Sequence, residues 1–134
     1  MEIVGLGSHI LECVRVRKLI DRHGEVFLHQ VYTDRETRHC RCKKQATEQF
    51  TAIWAAKEAV FRSLGVPWRR GMAWTDVEVV CDGNAPRPSV EVRGATKERQ
   101  ETLGVGEFLL TLATCRAFAT ATCLALKIPN PEGS

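Results

Sequence analysis

"WAAKEAVFRSLG", residues 54–65, is the stretch on which the fold turns. Wound at about 100° per residue, it and the residues before it predict a helix from Ala46 to Leu64, stopped by Gly65 and Pro67. One side is apolar: Ala46, Phe50, Ile53, Trp54, Val60, Phe61 and Leu64. A second side is uniformly small, with Ala52, Ala55, Ala56, Ala59 and Ser63. Small residues along one side prepare a helix for close packing on another element. Lys57 falls near the apolar centre, between Phe50, Ile53, Val60 and Phe61. An isolated buried ammonium is costly, so this lysine must snorkel, pair or face a ligand. Glu58 and Arg62, four residues apart, form either an ordinary surface ion pair or part of a site that holds phosphates.

The element that receives the small side is read further along. "AWTDVEVVCD" predicts a strand, and the "GNAP" turn leads to "RPSVEVRG" as its hairpin partner. "ATKERQETLG" is a charged helix ending at Gly104, and "EFLLTLAT" and "AFATATCLALK" are two final strands. In the last, Ala117, Ala119, Ala121, Cys123 and Ala125 alternate with larger residues, giving a sheet face small enough to accept the long helix closely. "EVFLHQVYT" predicts a short helix, and Thr33 caps another that reaches about Arg41. The fold class is α+β, with one domain over residues 1–127 and a loose tail over 128–134.

"IVGLGSHILE", residues 3–12, opens the chain. It predicts a strand over 2–7, a tight Gly-x-Gly turn, and a helix over 9–23 with Ser8 as N-cap and Gly24 as stop. Ile10, Cys13, Val16 and Ile20 then share one side of that helix, while Arg15, Lys18 and Arg22 cluster on the other. Such a basic stripe is either a solvated face or a docking surface for an acidic partner. The third glycine and the βαβ context of a dinucleotide fingerprint are missing.

Composition narrows the classes. Of 134 residues, 44% are hydrophobic and 26% charged, with a net charge of +3, as in an ordinary globular domain. No dense Lys/Arg block argues for nucleic acid, and no apolar run is long enough to span a bilayer. No signal-peptide pattern is present, so a cytoplasmic location is expected. The six cysteines make no C-x-x-C pair and predict no disulfide framework. "HCRC", residues 39–42, lacks a second pair at zinc-finger spacing.

Five segments in register resemble the holo-acyl-carrier-protein synthases. "IVGLGSHILECVRV" is similar to that family's G-[IL]-G-x-D-[IL]-V-E-I-x-R opening, and "RHGEVFLHQVYT" to its R-x-G-x-x-F segment. "WAAKEAVFRSLG" resembles the F-A-x-K-E-A-x-x-K-A-[LF]-G helix. "RRGMAWTDVEVV" and "TLATCRAFATAT" resemble the strands that follow, so the likeness spans about residues 2–126. It implies a transferase that moves 4'-phosphopantetheine from coenzyme A to a serine of an apo acyl carrier protein, as a homotrimer and with Mg²⁺. Carried over, Glu58 would be a metal ligand and catalytic, and Lys57 would contact the diphosphate or assist proton transfer. Arg62, Gly65, Gly71 and Pro86 would shape the coenzyme A site. Arg15, Lys18 and Arg22 would meet the acidic carrier protein.

Three site positions depart from the family. His9 stands where a metal-binding aspartate is usual, Ala113-Thr114 replace a Ser-His pair, and Ile53 replaces an arginine. The "GKP" turn is "NAP" here. Exchanging a carboxylate for imidazole at His9 removes one negative charge and suits zinc, iron or manganese better than Mg²⁺, so the expectation is a weaker Mg²⁺ site, a different metal or none. The alternative implied by these changes is a catalytically impaired homologue that binds coenzyme A or carrier protein as a binding or regulatory module.

Overall fold

The computed structural model describes residues 2–65, 72–81, 83–85 and 87–127. Its centre is α4 (Ala46–Ser63), lying across a three-stranded antiparallel sheet of β1 (Glu2–Glu12), β5 (Phe118–Lys127) and β4 (Val105–Thr114). β5 is the middle strand and alternates as read: Ala119, Ala121, Cys123 and Ala125 are buried toward α4, while Thr120 and Thr122 point outward. Ala52, Ala55, Ala56 and Ala59 of α4 are buried as well. Two small-residue faces let helix and sheet backbones approach closely, so packing is dense without large side chains. Phe50, Ile53, Val60 and Phe61 fill the opposite side, with Phe27, Leu28, Val31 and Tyr32 from α2 (Glu25–Val31) and its end. The fold is α+β, as the helix and strand patterns indicated.

A second, two-stranded antiparallel sheet pairs β2 (Val77–Val80) with β3 (Ser89–Val92). α5 (Gly94–Leu103) then leads into β4. Trp74–Asp76, expected as the start of a strand, instead form a single 3-10 turn before β2. Thr33 caps α3 (Asp34–Arg41) as expected. Its side chain accepts the Glu36 N–H while the Glu36 carboxylate accepts the Thr33 N–H, a reciprocal capping box.

The N-terminal expectation is corrected. β1 runs through to Glu12, and α1 (Cys13–His23) begins four residues later than predicted. Ser8 is not an N-cap, and Ile10 belongs to no helix side; it is exposed on the outer face of the sheet. β5 overrides the local cap signal, because Ser8 to Glu12 pair in register with Thr122 to Phe118. The Cys13 N–H at the start of α1 donates to the Ala117 carbonyl in the β4–β5 turn, at 2.9 Å. Gly5 and Gly7 are likewise not a turn. A Cβ on Gly7 would fall against the Ala59 carbonyl oxygen and within 2.6 Å of the Ser63 nitrogen. One on Gly5 would fall against the Ser63 carbonyl. These glycines exist so that β1 can lie on the backbone of α4.

Candidate active site

The inward face of β1 carries every second residue, so Gly7 and His9 share it. Where Gly7 lets strand and helix meet, His9 arrives beside the last turns of α4. His9, Leu11, Arg15, Leu19, Trp54, Glu58 and Trp74 line a cavity of about 300 Å³. On the other side of His9 lies a second, more open cavity of about 470 Å³, lined also by Ser8, Ile10, Arg62, Thr120, Ala121 and Thr122. His9 therefore lines both an aromatic-walled cavity that also holds the Arg15 guanidinium and a second cavity that holds the Arg62 guanidinium.

The polar groups are connected. Arg62 Nη1 donates to the Ser8 carbonyl at 3.0 Å, and its Nε lies 3.5 Å from Glu58 Oε1. Burial lowers the His9 pKa below its ordinary value of 6.5; the Glu58 carboxylate opposes that shift and Arg62 adds to it. The imidazole is thus neutral at pH 7, with a lone pair to give a metal or a proton. Glu58 and His9, one carboxylate and one imidazole on a shared cavity wall, could hold a divalent cation that would neutralise phosphate charge. Among the described residues no three His, Cys, Asp or Glu side chains form a metal cluster, so the protein alone would not enclose the ion.

His9, Glu58 and Arg62 are thus brought together. Arg15 joins them by lining the first cavity, whereas Lys18 and Arg22 are exposed farther along α1. Gly65 follows α4 and is exposed. Gly71 and Pro86 lie outside the described residues. Ile53 is buried in the core, and Ala113 and Thr114 are exposed at the end of β4.

For Lys57 the structure shows the paired alternative. Neither it nor Glu36 retains exposed side-chain surface, and their Nζ–Oε1 distance is 2.7 Å. The ammonium also donates to the Trp74 carbonyl at 3.1 Å and to the Val77 carbonyl. Its three hydrogens are matched by three protein acceptors, so it does not present a charge to diphosphate. Burial lowers its pKa, and the Glu36 charge and hydrogen bond oppose that shift. The Glu36 carboxylate additionally accepts the Val79 N–H at 2.7 Å. Sequence reasoning missed Glu36 and Trp74. The T-x-x-E spacing of Thr33 and Glu36 is a signal for the capping box that could have singled out Glu36, but nothing local shows that this carboxylate also meets Lys57. Trp74 sits in an irregular turn and carries no periodic signal.

With this geometry in place, the chain matches, over residues 5–123, the family described as the 4'-phosphopantetheinyl transferase superfamily. It is 38% identical over 121 residues to a holo-[acyl-carrier-protein] synthase of Rhodopirellula baltica, covering 90% of this chain and 95% of that one. Another such synthase, from Koribacter versatilis, is 35% identical over 91% of this chain and 97% of its own length. Among solved structures, holo-[acyl-carrier-protein] synthase from Neisseria meningitidis superposes with a TM-score of 0.83 at 21% identity, over 94% of this chain and 100% of that one, a likeness of fold. The ACPS–CoA complex of Chronobacterium ammoniagenes superposes at 0.77 with 25% identity, over 93% and 98%.

Proposed function

The chain belongs to the 4'-phosphopantetheinyl transferase superfamily, and from that premise we propose that it moves the 4'-phosphopantetheine arm of coenzyme A onto a serine of an apo acyl carrier protein, releasing 3',5'-ADP. The observation that carries the reading is the convergence of His9, Glu58, Arg62 and Arg15 around one strand–helix corner. The serine oxygen attacks phosphorus as the bond to the 3',5'-ADP oxygen breaks, so charge must be offset on the diphosphate and a proton removed from serine. Arg62, in the second cavity, offsets phosphate charge. Glu58 and His9 are the groups around the cavity able to accept the serine proton, His9 only while its single lone pair is not given to a metal. Arg15 at the cavity mouth, with Lys18 and Arg22 beyond it, offers a cationic approach to an acidic carrier protein.

Glu58 and His9 would also hold a divalent cation. Bound there, it would neutralise developing charge on the phosphate oxygens. Mg²⁺ accepts one carboxylate plus substrate phosphates, but the imidazole nitrogen favours Mn²⁺ or a similar metal. The test is intact-mass measurement of apo carrier proteins after incubation with coenzyme A and either Mg²⁺ or Mn²⁺. Arm transfer, faster with Mn²⁺, is expected. Bound coenzyme A with no transfer to any carrier would overturn the reading.

A homotrimer follows from the same reading. On the outer face of the sheet Leu6 and Ile10 remain 63% and 60% exposed, and Leu6 pairs across with Leu124 of β5, which pairs with Leu109 of β4. That apolar row suits burial against further copies. Replacing Leu6 with Lys would give a monomer by light scattering; an unchanged mass would remove this face from the assembly. All six cysteines are free thiols, which supports a reducing, cytoplasmic setting.

A further inference from the structure

The buried Lys57 is not used by the chemistry above, yet it sits one residue from Glu58 on α4. Of the groups it holds, Trp74 lines the first cavity. The Trp74 ring packs edge-on between Trp54, at 5.9 Å, and Phe61, at 5.4 Å. Both partners come from α4, three residues before and four after Lys57, so all three lie on one side of the helix. While those rings hold the indole, the Lys57 ammonium holds the backbone that carries it, through the Trp74 and Val77 carbonyls. Glu36 fixes the ammonium from the far side, and is itself tied to β2 through the Val79 N–H. Trp74 and Trp54 form the aromatic wall of the cavity, facing the side to which His9 and Glu58 contribute.

We propose that Lys57 is a positioning residue: its ammonium, braced by Glu36, locks the Trp74–Val77 backbone to α4 and so sets the aromatic wall against which the pantetheine arm of coenzyme A lies. This rests on the reading of coenzyme A as substrate. The wall lines the first cavity together with Arg15, and in this reading the nucleotide phosphates lie at Arg62, which lines the second. Loosening the wall therefore weakens ligands that possess the arm and spares those that consist of the nucleotide alone. A lysine touching the phosphates that 3',5'-ADP shares with coenzyme A would affect both, and one touching the phosphate that leaves with the arm would leave the indole signal unchanged.

The experiment compares coenzyme A with 3',5'-ADP by calorimetric titration, which needs no transfer activity. The proteins are wild type, Lys57→Met and the double variant Lys57→Met/Glu36→Gln, which removes both buried charges. Near-ultraviolet circular dichroism reports the Trp54–Trp74 pair. Both variants are expected to lose coenzyme A affinity about tenfold while 3',5'-ADP affinity stays within about twofold, with a diminished indole signal. Equal losses for the two ligands would overturn the proposal, as would unchanged coenzyme A affinity or an unchanged indole signal. If neither Lys57 variant folds, Trp74→Ala removes the wall directly and must show the same arm-selective loss; no such loss refutes the role given to the wall. A wild type that binds neither ligand would instead refute the coenzyme A reading, and the indole signal would still show whether Lys57 holds Trp74.

Discussion

Gly7→Ala tests the strand–helix corner most directly. The added methyl would fall on the Ala59 carbonyl oxygen, 2.6 Å from the Ser63 nitrogen and 2.9 Å from Arg62 Cβ. Ordinary carbon contacts begin near about 3.5 Å, so β1 must retreat from α4 by roughly an ångström. Two of the three obstacles are helix backbone atoms, which cannot turn aside as a side chain would. Overpacking of this kind costs about 1–3 kcal/mol, and more where the neighbours are rigid. Loss of the half-exposed Arg62–Ser8 bond adds about 0.5 kcal/mol. A destabilisation of about 3 kcal/mol is therefore expected, a large part of the roughly 5–15 kcal/mol that holds a domain together. His9 lies two residues along the same strand face and retreats with it, and a misplacement of about 1 Å in a reacting constellation costs on the order of 100-fold in rate. Urea unfolding gives the first quantity, and arm transfer under folded conditions gives the second. Gly83→Ala is the control: its Cβ meets nothing within 4 Å, and the change should stay within about 0.5 kcal/mol. If Gly7→Ala unfolds like Gly83→Ala and transfers like wild type, the close-approach argument is wrong.

Lys57→Met alone leaves the Glu36 carboxylate buried without its counter-charge. A loss of about 3–5 kcal/mol is expected by denaturant titration, partly recovered when Glu36→Gln is added; a double variant worse than the single would contradict the pairing. Glu58→Gln keeps the shape of its side chain and removes its charge, so metal-dependent transfer should fall at least about 100-fold with little change in unfolding; an unaltered rate excludes Glu58. The pH dependence of stability follows from His9. Because its folded pKa is lowered, the unfolded chain takes up the proton first as pH falls below about 6.5, and stability declines through that window while nothing is contributed above it. Burial lowers His39 in the same direction, so His9→Asn should flatten the slope between about pH 5 and pH 7 without abolishing it; an unchanged slope would mean that His9 titrates alike in both states.

Much of the fold was legible because it rests on local or strongly periodic signals. The two-sided pattern of Ala46 to Leu64 predicts both a long helix and its closeness to a sheet, and the alternation of Ala119 to Ala125 predicts which sheet face receives it. Thr33 predicts the start of α3 because a cap is satisfied within three residues. Glu58 and Arg62 were legible as neighbours for the same reason, since helix geometry alone places them together. What misled was Ser8. Its cap chemistry is genuine as a local preference, but the sheet satisfies more backbone groups across Ser8 to Glu12 than one helical turn would, and β5 lies over a hundred residues away in sequence.

The sequence by itself determined an α+β chain, the order of its helices, a helix bearing Lys57, Glu58 and Arg62, and five motifs in the register of one transferase family. Only the tertiary structure decided what those residues face. It extended β1 so that Gly5 and Gly7 lie on α4, carried His9 to Glu58, and drew Arg15 to the same cavity. It also turned Lys57 inward to a carboxylate 21 residues earlier. The physical reason is that side-chain patterns fix which face of an element is apolar, while the partner of a buried charge and the course of a strand depend on groups that only the closed chain brings within hydrogen-bonding distance.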